Sequence, residues 1–361
     1  MTGTRAAPWP LSRRSIWNPR GLPLANRDIV AIGASAGGID ILRRIVAALP
    51  ADLAAAIFVV LHIGPSRSIL PDILSDAGPL LARFAENGER IRHSRIYIAP
   101  PDVHLLVADG HVLLDRGPRE NSARPAIDPL FRSVAENFGA RAIGVVLSGA
   151  LNDGTAGLKT MKHHGGIAVV QNPAEATVPS MPQSALNAVD VDHIASSGDL
   201  AGLLTRLVAQ TAVPGAPLPA EPGRAESITV ASEIAFEGGE AAPRGATVLS
   251  CPDCGGRLSM VENGSVVRFT CTVGHVHTAE SFLASQAIEI ERALWMAVRA
   301  NEERAALLRK LQEDAQRAKR FGASKLWQER AVEYENHAKS IRELLTRGDF
   351  VPRIGSDTES T

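Results

Sequence analysis

Short apolar runs alternate with amphipathic segments over the first 208 residues of the chain. The apolar runs lie at 29–32, 57–61, 96–99, 142–147 and 167–170. Residues 41, 42, 45, 46 and 49 repeat at helical spacing after the first run, residues 71–74 are predicted to be helical, and a further helix is predicted to end near His164. Strands that are apolar throughout and alternate with helices are typical of a parallel sheet covered on both faces. The pattern therefore predicts an α/β domain with a mainly parallel sheet and helices on both sides.

The pattern changes beyond residue 208. Residues 211–246 are rich in proline, glycine and alanine, which is linker composition. Two strand-like runs then flank an Asn-Gly pair at Asn263, which predicts a β-hairpin. From 280 to 346 apolar residues recur at alternating spacings of four and three, as in a helical hairpin or coiled coil.

These changes divide the chain into six parts. The predicted order is a disordered basic extension (1–27), an α/β domain (28–208), a linker (209–246), a small β-hairpin module (247–278), a helical hairpin (279–347) and a flexible tail (348–361).

Composition excludes several classes of protein. The net charge of −1 argues against a nucleic-acid binder. The sequence contains no run of about 18 apolar residues, so we expect no insertion into a membrane. The N-terminal residues lack the apolar core of a secretory signal, and the three cysteines are too few for a disulfide framework. We therefore expect a cytoplasmic protein.

A serine stands between glycines where the first predicted strand meets its helix. The sequence Gly-Ala-Ser-Ala-Gly-Gly at 33–38 is typical of a nucleophile elbow, which would expose the Ser35 hydroxyl at the end of the strand. The helix N-terminus behind it would supply backbone N–H groups for an oxyanion, with Ala36 directly after the serine. The alternative is a phosphate-cradling glycine loop, although the lysine of a P-loop is missing.

A nucleophilic serine needs a base, and the base needs a carboxylate that orients it. His62 follows the second apolar strand, and Asp153 lies in the loop after the 142–147 strand. The carboxyl ends of parallel strands face one crevice, so Ser35, His62 and Asp153 are predicted to meet there. The competing histidines lie in a predicted hairpin (His104 and His111) or at the far end of a helix (His163 and His164).

Six motifs follow one another along the α/β domain. They are GASAGG (33–38), VVLH (59–62), APPDVH (99–104), RPAID (124–128), SGALNDGTAGL (148–158) and PSMP (179–182). In this order and spacing the segment 28–208 resembles the catalytic domain of the chemotaxis protein-glutamate methylesterases. The resemblance covers about half of the chain.

The resemblance implies a serine hydrolase. It would remove methyl esters from glutamate side chains of methyl-accepting chemotaxis receptors, release methanol, and in some members deamidate receptor glutamines. By motif, Ser35 would be the nucleophile, His62 the general base and then acid, and Asp153 the carboxylate that orients His62. The family's oxyanion hole would use the backbone N–H of Ala150. No cofactor is expected for catalysis.

The chain departs from the family pattern in two ways. It has Ala36 where threonine is common, and Ala150-Leu151 where Met-Gly is common, which changes the pocket more than the reaction. Family members typically carry a phosphorylatable receiver domain before the esterase. Since 27 residues precede residue 28 here, we expect no receiver domain and no phosphorylation control within this chain.

The cysteines form a second candidate site. Cys251 and Cys254 are two residues apart, Cys271 follows the hairpin, and His275 comes four residues later. Three thiolates and an imidazole favour a tetrahedral zinc site, which would stabilise a module too small to fold on its core alone. His277 is the alternative fourth ligand. Three reduced structural cysteines without a metal remain the other interpretation.

Three functional hypotheses remain at this point. The first is a methylesterase of a chemosensory pathway whose C-terminal helices bind signalling partners or form a homodimer. The second is a signalling scaffold whose helices carry the function. The third is a serine esterase or deamidase of an unrelated protein.

Overall fold

The computed structural model describes residues 26–62, 68–212, 246–263 and 266–347. Within these residues seven strands form one sheet in the order β3-β4-β2-β1-β7-β8-β9, and each neighbouring pair is parallel. The strands are β1 (Ile29–Ala34), β2 (Ala56–Leu61), β3 (Leu81–Phe84), β4 (Arg95–Ile98), β7 (Ala142–Val146), β8 (Ile167–Gln171) and β9 (His193–Ala195). The predicted parallel α/β sheet is confirmed.

Helices cover both faces of the sheet. They are α1 (Gly38–Ala48), α2 (Leu70–Ala77), α3 (Ile127–Phe138), α4 (Thr155–His163), α5 (Ser180–Ala188) and α6 (Leu200–Val208). The buried stripes of α1, α2 and α6 pack on one face, and those of α3, α4 and α5 pack on the other. All residues of β1 and β2 are buried, which explains why these central strands are apolar at every position.

A two-stranded antiparallel hairpin lies beside the sheet. It consists of β5 (His104–Ala108) and β6 (His111–Asp115), which turn at Asp109 and Gly110 as the sequence predicts. Asn137 and Ser133 of α3 hydrogen-bond to the backbone of Val107 in β5, and these bonds hold the hairpin against the domain.

Four short strands form a separate antiparallel sheet in the C-terminal half. These are β10 (Ala246–Ser250), β11 (Arg257–Asn263), β12 (Val266–Cys271) and β13 (Val276–Thr278). Asn263 pairs with Val266 across the predicted hairpin. Buried apolar contacts here are few, and Leu258 and Phe282 are the largest fully or nearly buried side chains among them.

Two long helices follow, α7 (Ala279–Arg317) and α8 (Phe321–Arg347). They run antiparallel, since Arg309 pairs with Glu335 and Arg342 pairs with Glu302. The predicted helical hairpin is therefore formed within one chain.

The seam of this helical hairpin differs from its prediction on one side. In α8 the alternating four-and-three spacing predicts a seam that includes Ala331 and Ala338, and both residues are buried. In α7 the buried positions include Val298 and Ala305, whereas Ile290 is 46% exposed. The predicted seam residue Ala315 is buried, so the α7 seam follows the predicted pattern only in part, because α7 carries apolar residues on more than one face.

Parts of the predicted organisation lie outside the described residues. They include most of the extension and the linker, and all of the tail (1–25, 213–245 and 348–361). Asn26 pairs with Thr211, and the Arg27 N–H donates to the Gln210 carbonyl, so these flanks belong to the α/β domain. No described helix is both long enough and apolar enough to cross a membrane.

Candidate active site

Ser35 lies at the carboxyl end of the central strand β1. Its N–H donates to the Ser148 carbonyl (2.9 Å), which continues the ladder between β1 and β7 past the end of the strand. The chain then turns at Gly37, whose φ is 77°, and enters α1. A Cβ at Gly37 would lie 2.5 Å from the Thr177 Cβ, so the close approach of these loops requires glycine. The turn holds Ser35 half-buried at the rim of the sheet.

His62 follows β2, the strand next to β1. Its N–H donates to the Ala34 carbonyl (3.1 Å), which fixes its backbone beside Ser35. Its Nε2 lies 2.8 Å from the Asp153 Oδ2, and its side chain is 20% exposed. Because Nε2 faces the carboxylate, Nδ1 is the ring nitrogen left for another partner. No hydrogen bond joins the Ser35 hydroxyl to His62 in the described part of the chain; such bonds often tighten only in a substrate complex.

Asp153 is buried between the N-termini of α3 and α4. Its Oδ2 accepts from His62 and from the Ile127 N–H (2.7 Å). Its Oδ1 accepts from the Asn121 amide (2.9 Å), the Gly154 N–H (2.9 Å) and the Asp128 N–H (3.2 Å). Five donors therefore fix both the position and the rotation of this carboxylate.

The surroundings of Asp153 favour its ionised form. Burial by itself raises the pKa of Asp153, but the hydrogen bond and charge of His62, the Ile127 N–H and the Asn121 amide bring it below its usual range. The N-termini of α3 and α4, which point at the carboxylate, also lower the pKa of Asp153. Asp153 is thus suited to hold a histidine in one tautomer and to stabilise its protonated form.

A second buried carboxylate lies beside it. Burial, followed by the charge of Asp153, raises the pKa of Asp128 to about 6, against the opposing charge of Arg268. Asp128 accepts from the Gly157 N–H (2.6 Å) and from the Asn121 amide (3.1 Å). It braces the loop around Asp153 and does not contact His62.

Backbone N–H groups line the space near Ser35. Neither the Ala36 nor the Ala150 N–H donates to an acceptor among the described residues. The Ser148 hydroxyl donates to the Ala36 carbonyl (2.8 Å), and the Gly149 N–H donates to the Val178 carbonyl (3.0 Å). These bonds fix the two peptides on either side of the crevice, with the Ala36 and Ala150 N–H groups still available.

The structure brings the predicted residues to one edge and separates the competing histidines from it. The His104 Nε2 donates to the Pro118 carbonyl (2.9 Å), and its Nδ1 accepts from the Ala126 N–H (3.2 Å), which is a structural role. His163 and His164 lie at the end of α4.

Sequence reasoning missed Asn121 and Ser148. Asn121 has a φ of 50°, a left-handed conformation that asparagine tolerates better than most residues. The signal in the sequence was an asparagine in a polar turn just before the RPAID motif, but nothing local indicates that its amide reaches Asp153.

The four predicted metal ligands also come together. The ligand atoms of Cys251, Cys254, Cys271 and His275 all lie within 4.8 Å of one another. The Cys254 and Cys271 sulfurs are 3.7 Å apart, and the His275 Nδ1 lies 3.7 Å and 3.5 Å from the Cys251 and Cys271 sulfurs. A tetrahedron of Zn–S bonds of about 2.3 Å separates its sulfurs by ~3.8 Å, so the set matches a zinc site.

His277 has different neighbours. Its Nε2 lies 3.3 Å from the Asp253 carboxylate and 3.6 Å from the Cys251 sulfur. It groups with these two residues and not with the four-ligand set. The Cys/His cluster could therefore hold a metal ion with His275 as the imidazole ligand.

The fold first defines a class of protein: a parallel α/β domain, covered on both faces, with its polar site at the carboxyl edge of the sheet. The family model of the CheB methylesterases matches residues 30–204. A Leptospira interrogans protein, provisionally named protein-glutamate methylesterase/protein-glutamine glutaminase, is 40% identical over 184 residues, which cover 50% of this chain and 95% of that protein. The chain belongs to the CheB methylesterase family.

Other relatives match over the same part of the chain. The Escherichia coli (strain K12) protein-glutamate methylesterase/protein-glutamine glutaminase is 36% identical over 170 residues, covering 45% of this chain and 48% of that protein. The crystal structure of the Thermotoga maritima CheB methylesterase catalytic domain is 32% identical, with a TM-score of 0.49, and covers 51% of this chain and all of that one. The chain spans about half the length of the Escherichia coli relative.

Proposed function

We propose that the chain hydrolyses methyl esters of glutamate side chains on methyl-accepting chemotaxis-type receptors. The observation that carries the proposal is the His62–Asp153 pair, 2.8 Å apart at the same sheet edge as Ser35. Membership of the CheB methylesterase family and the names of the relatives support this substrate class.

The proposed first half-reaction forms an ester between Ser35 and the receptor glutamate. The Ser35 Oγ attacks the ester carbonyl carbon while the His62 Nδ1 takes the hydroxyl proton. The Ala36 and Ala150 N–H groups bind the oxyanion of the tetrahedral intermediate. The intermediate collapses, the bond to the methoxy oxygen breaks, and protonated His62 returns its proton to form methanol.

The second half-reaction releases the receptor. His62 removes a proton from water, the hydroxide attacks the acyl carbon, and the bond to the Ser35 Oγ breaks as His62 reprotonates the serine. The products are a receptor glutamate and free enzyme. The same steps on a glutamine amide would release ammonia, and the relatives' second name, glutaminase, supports this additional activity.

For the C-terminal module, the four-stranded sheet β10–β13 at residues 246–278, we propose a zinc ion that stabilises the fold. Three sulfurs and one imidazole nitrogen at tetrahedral separations are the supporting observation. The module buries few apolar side chains, so a metal would supply free energy that its core does not. The metal takes no part in the bond-making and bond-breaking steps of the proposed ester hydrolysis.

The proposal is tested by methanol release from methyl-labelled receptor membranes. Replacing Ser35 by alanine is expected to lower kcat by at least about 10³-fold, because the nucleophile is lost while binding remains. The half-buried Ser196, which bonds to Asp199, provides the matched control Ser196→Ala with unchanged release. No Ser35-dependent release from any receptor would favour a scaffold or a different protein ester.

A further inference from the structure

The C-terminal module docks on the α/β domain next to Asp153. The Asn121 N–H donates to the Val276 carbonyl (2.8 Å), and the Val276 N–H donates to the Arg119 carbonyl (3.2 Å). On the other side, the Thr278 hydroxyl donates to the Asn152 Oδ1 (2.9 Å). Asn152 immediately precedes Asp153, so the module contacts the loops on both sides of this carboxylate.

The Asn121 side chain lies at the centre of this contact and is 7% exposed. Its amide donates to Asp153 (2.9 Å) and Asp128 (3.1 Å). Its Oδ1 accepts from the Thr278 N–H and from the Ser281 hydroxyl, both at 3.3 Å. Since an ionised carboxylate only accepts and an N–H only donates, the partners fix the amide in this orientation.

The groups that hold the Asn121 oxygen belong to the start of the long helix α7. Thr278 is its N-cap, and Thr278 and Ser281 form a capping box. The contact is therefore made by the capped N-terminus of the helix, through one backbone N–H and one side-chain hydroxyl. A shift of α7 relative to the α/β domain would change the direction of the Asn121 amide.

The module also contributes charge near the same carboxylates. Arg268 of β12 lies 4.0 Å from Asp128 and opposes the rise in the pKa of Asp128. Two buried carboxylates side by side repel each other, and Asn121 and Arg268 both reduce that repulsion. Arg268 comes from the module, and Asn121 is held in place by it.

We propose that Asn121 is a positioning residue through which the docked C-terminal module sets the orientation of the Asp153 carboxylate, and so the turnover of the esterase. This inference rests on the proposed function, in which Asp153 orients His62. In this account the module acts on the chemical step, since Asn121 contacts Asp153 and not the crevice where substrate binds.

The test uses variants of the full chain and separates kcat from KM. Asn121→Gly removes the amide and keeps the left-handed backbone, and it is expected to lower kcat at least about tenfold with KM within about twofold. Ser281→Ala removes one bond that holds the Asn121 oxygen, together with the Ser281 half of the capping box, and about a threefold loss of kcat is expected. The kcat of the double variant is expected to match that of Asn121→Gly, because both substitutions break the same connection from α7 through Asn121 to Asp153.

The matched control is Ser285→Ala. The Ser285 hydroxyl bonds to the Ser122 hydroxyl (2.6 Å) across the same interface, but this bond does not reach Asp153. Its kcat is expected to stay within about twofold of the wild type. Hydrogen exchange gives a readout besides activity: the Asn121 N–H should remain protected in Ser285→Ala, because its bond to the Val276 carbonyl is intact.

The outcomes separate the two claims. If the wild type shows no Ser35-dependent turnover, the proposed function fails and the inference fails with it. If turnover depends on Ser35 but Asn121→Gly and Ser281→Ala both keep wild-type kcat, the inference alone is wrong. Effects of the two substitutions that multiply in the double variant would also overturn it, because they would then act separately.

Discussion

The α/β domain and the C-terminal module hold their candidate site residues in different ways. In the domain, Ser35 and His62 follow fully buried central strands, and the backbone hydrogen bonds of the sheet fix their positions. Large apolar clusters pack on both faces of this sheet. In the module, a small apolar cluster around Leu258 and Phe282 lies beside the Cys/His set. The first site depends on a packed scaffold, whereas we expect the second to depend on the ion that its ligands bind.

The largest expected effect tests the domain side of this comparison. Asp153→Asn should lower kcat by about 10⁴-fold, because an amide would hold His62 in the wrong tautomer. Far-UV circular dichroism should show an unchanged fold. Asp199→Asn, an exposed aspartate that bonds to Ser196, is the control. Wild-type kcat in Asp153→Asn would remove Asp153 from the proposed mechanism.

The next prediction tests the module. Elemental analysis is expected to find about one zinc per chain, and a strong chelator should remove it and unfold residues 246–278 locally, with the α/β domain still folded. Cys254→Ser should lose the metal, whereas Thr272→Ala on the neighbouring exposed turn should keep it. A carefully prepared wild type without metal would show that the cysteines are structural only.

A third prediction concerns how closely the domain is packed behind Ser35. Gly37→Ala should lower the free energy of unfolding by about 2–4 kcal/mol, because it adds a clash with Thr177 to the cost of a positive φ. At Gly88, φ is 80° and a Cβ would meet nothing within 4 Å. Gly88→Ala should therefore cost only about 1 kcal/mol in urea unfolding. Equal losses of unfolding free energy in the two variants would mean that the loops around Gly37 and Thr177 move apart to accommodate the added methyl group.

The smallest effect concerns pH. The pKa of Asp128 is raised to about 6 by burial and by Asp153, so the folded state binds its proton more tightly than the unfolded chain. The contribution of Asp128 to stability should fall as pH rises from about 4 to about 6 and stay constant above. Asp128→Asn should remove this fall in urea midpoints measured across that range. An unchanged slope would assign the pH dependence to other groups.

The sequence was sufficient for the strands that place the site, because buried parallel strands carry an unbroken apolar signal. It was not sufficient for β3, a four-residue strand whose Leu81 is 52% exposed, or for α5, which buries only Met181, Pro182 and Ala185. It also missed α3, whose start coincides with the RPAID motif and contains Pro129. Short or weakly amphipathic elements give little periodicity, and their neighbours in the fold decide their structure.

The candidate active site likewise could be predicted from the sequence only in part. The proximity of Ser35, His62 and Asp153 could be predicted from their places after strands, since topology alone brings strand ends together. Asn121 could not, because its role depends on a contact between residues more than 150 positions apart. Contacts of this kind between parts that are far apart in the chain leave no local pattern in a sequence.

The central claim is that Ser35 is a nucleophile activated by His62, and covalent labelling tests it most directly. A serine-directed fluorophosphonate reagent, followed by peptide mass spectrometry, should give one adduct, on Ser35. Labelling should be absent in Ser35→Ala and should be slowed by at least about 10²-fold in His62→Ala, because the hydroxyl then lacks its base. Turnover without an adduct on Ser35, or an adduct on another serine that tracks turnover, would contradict the account.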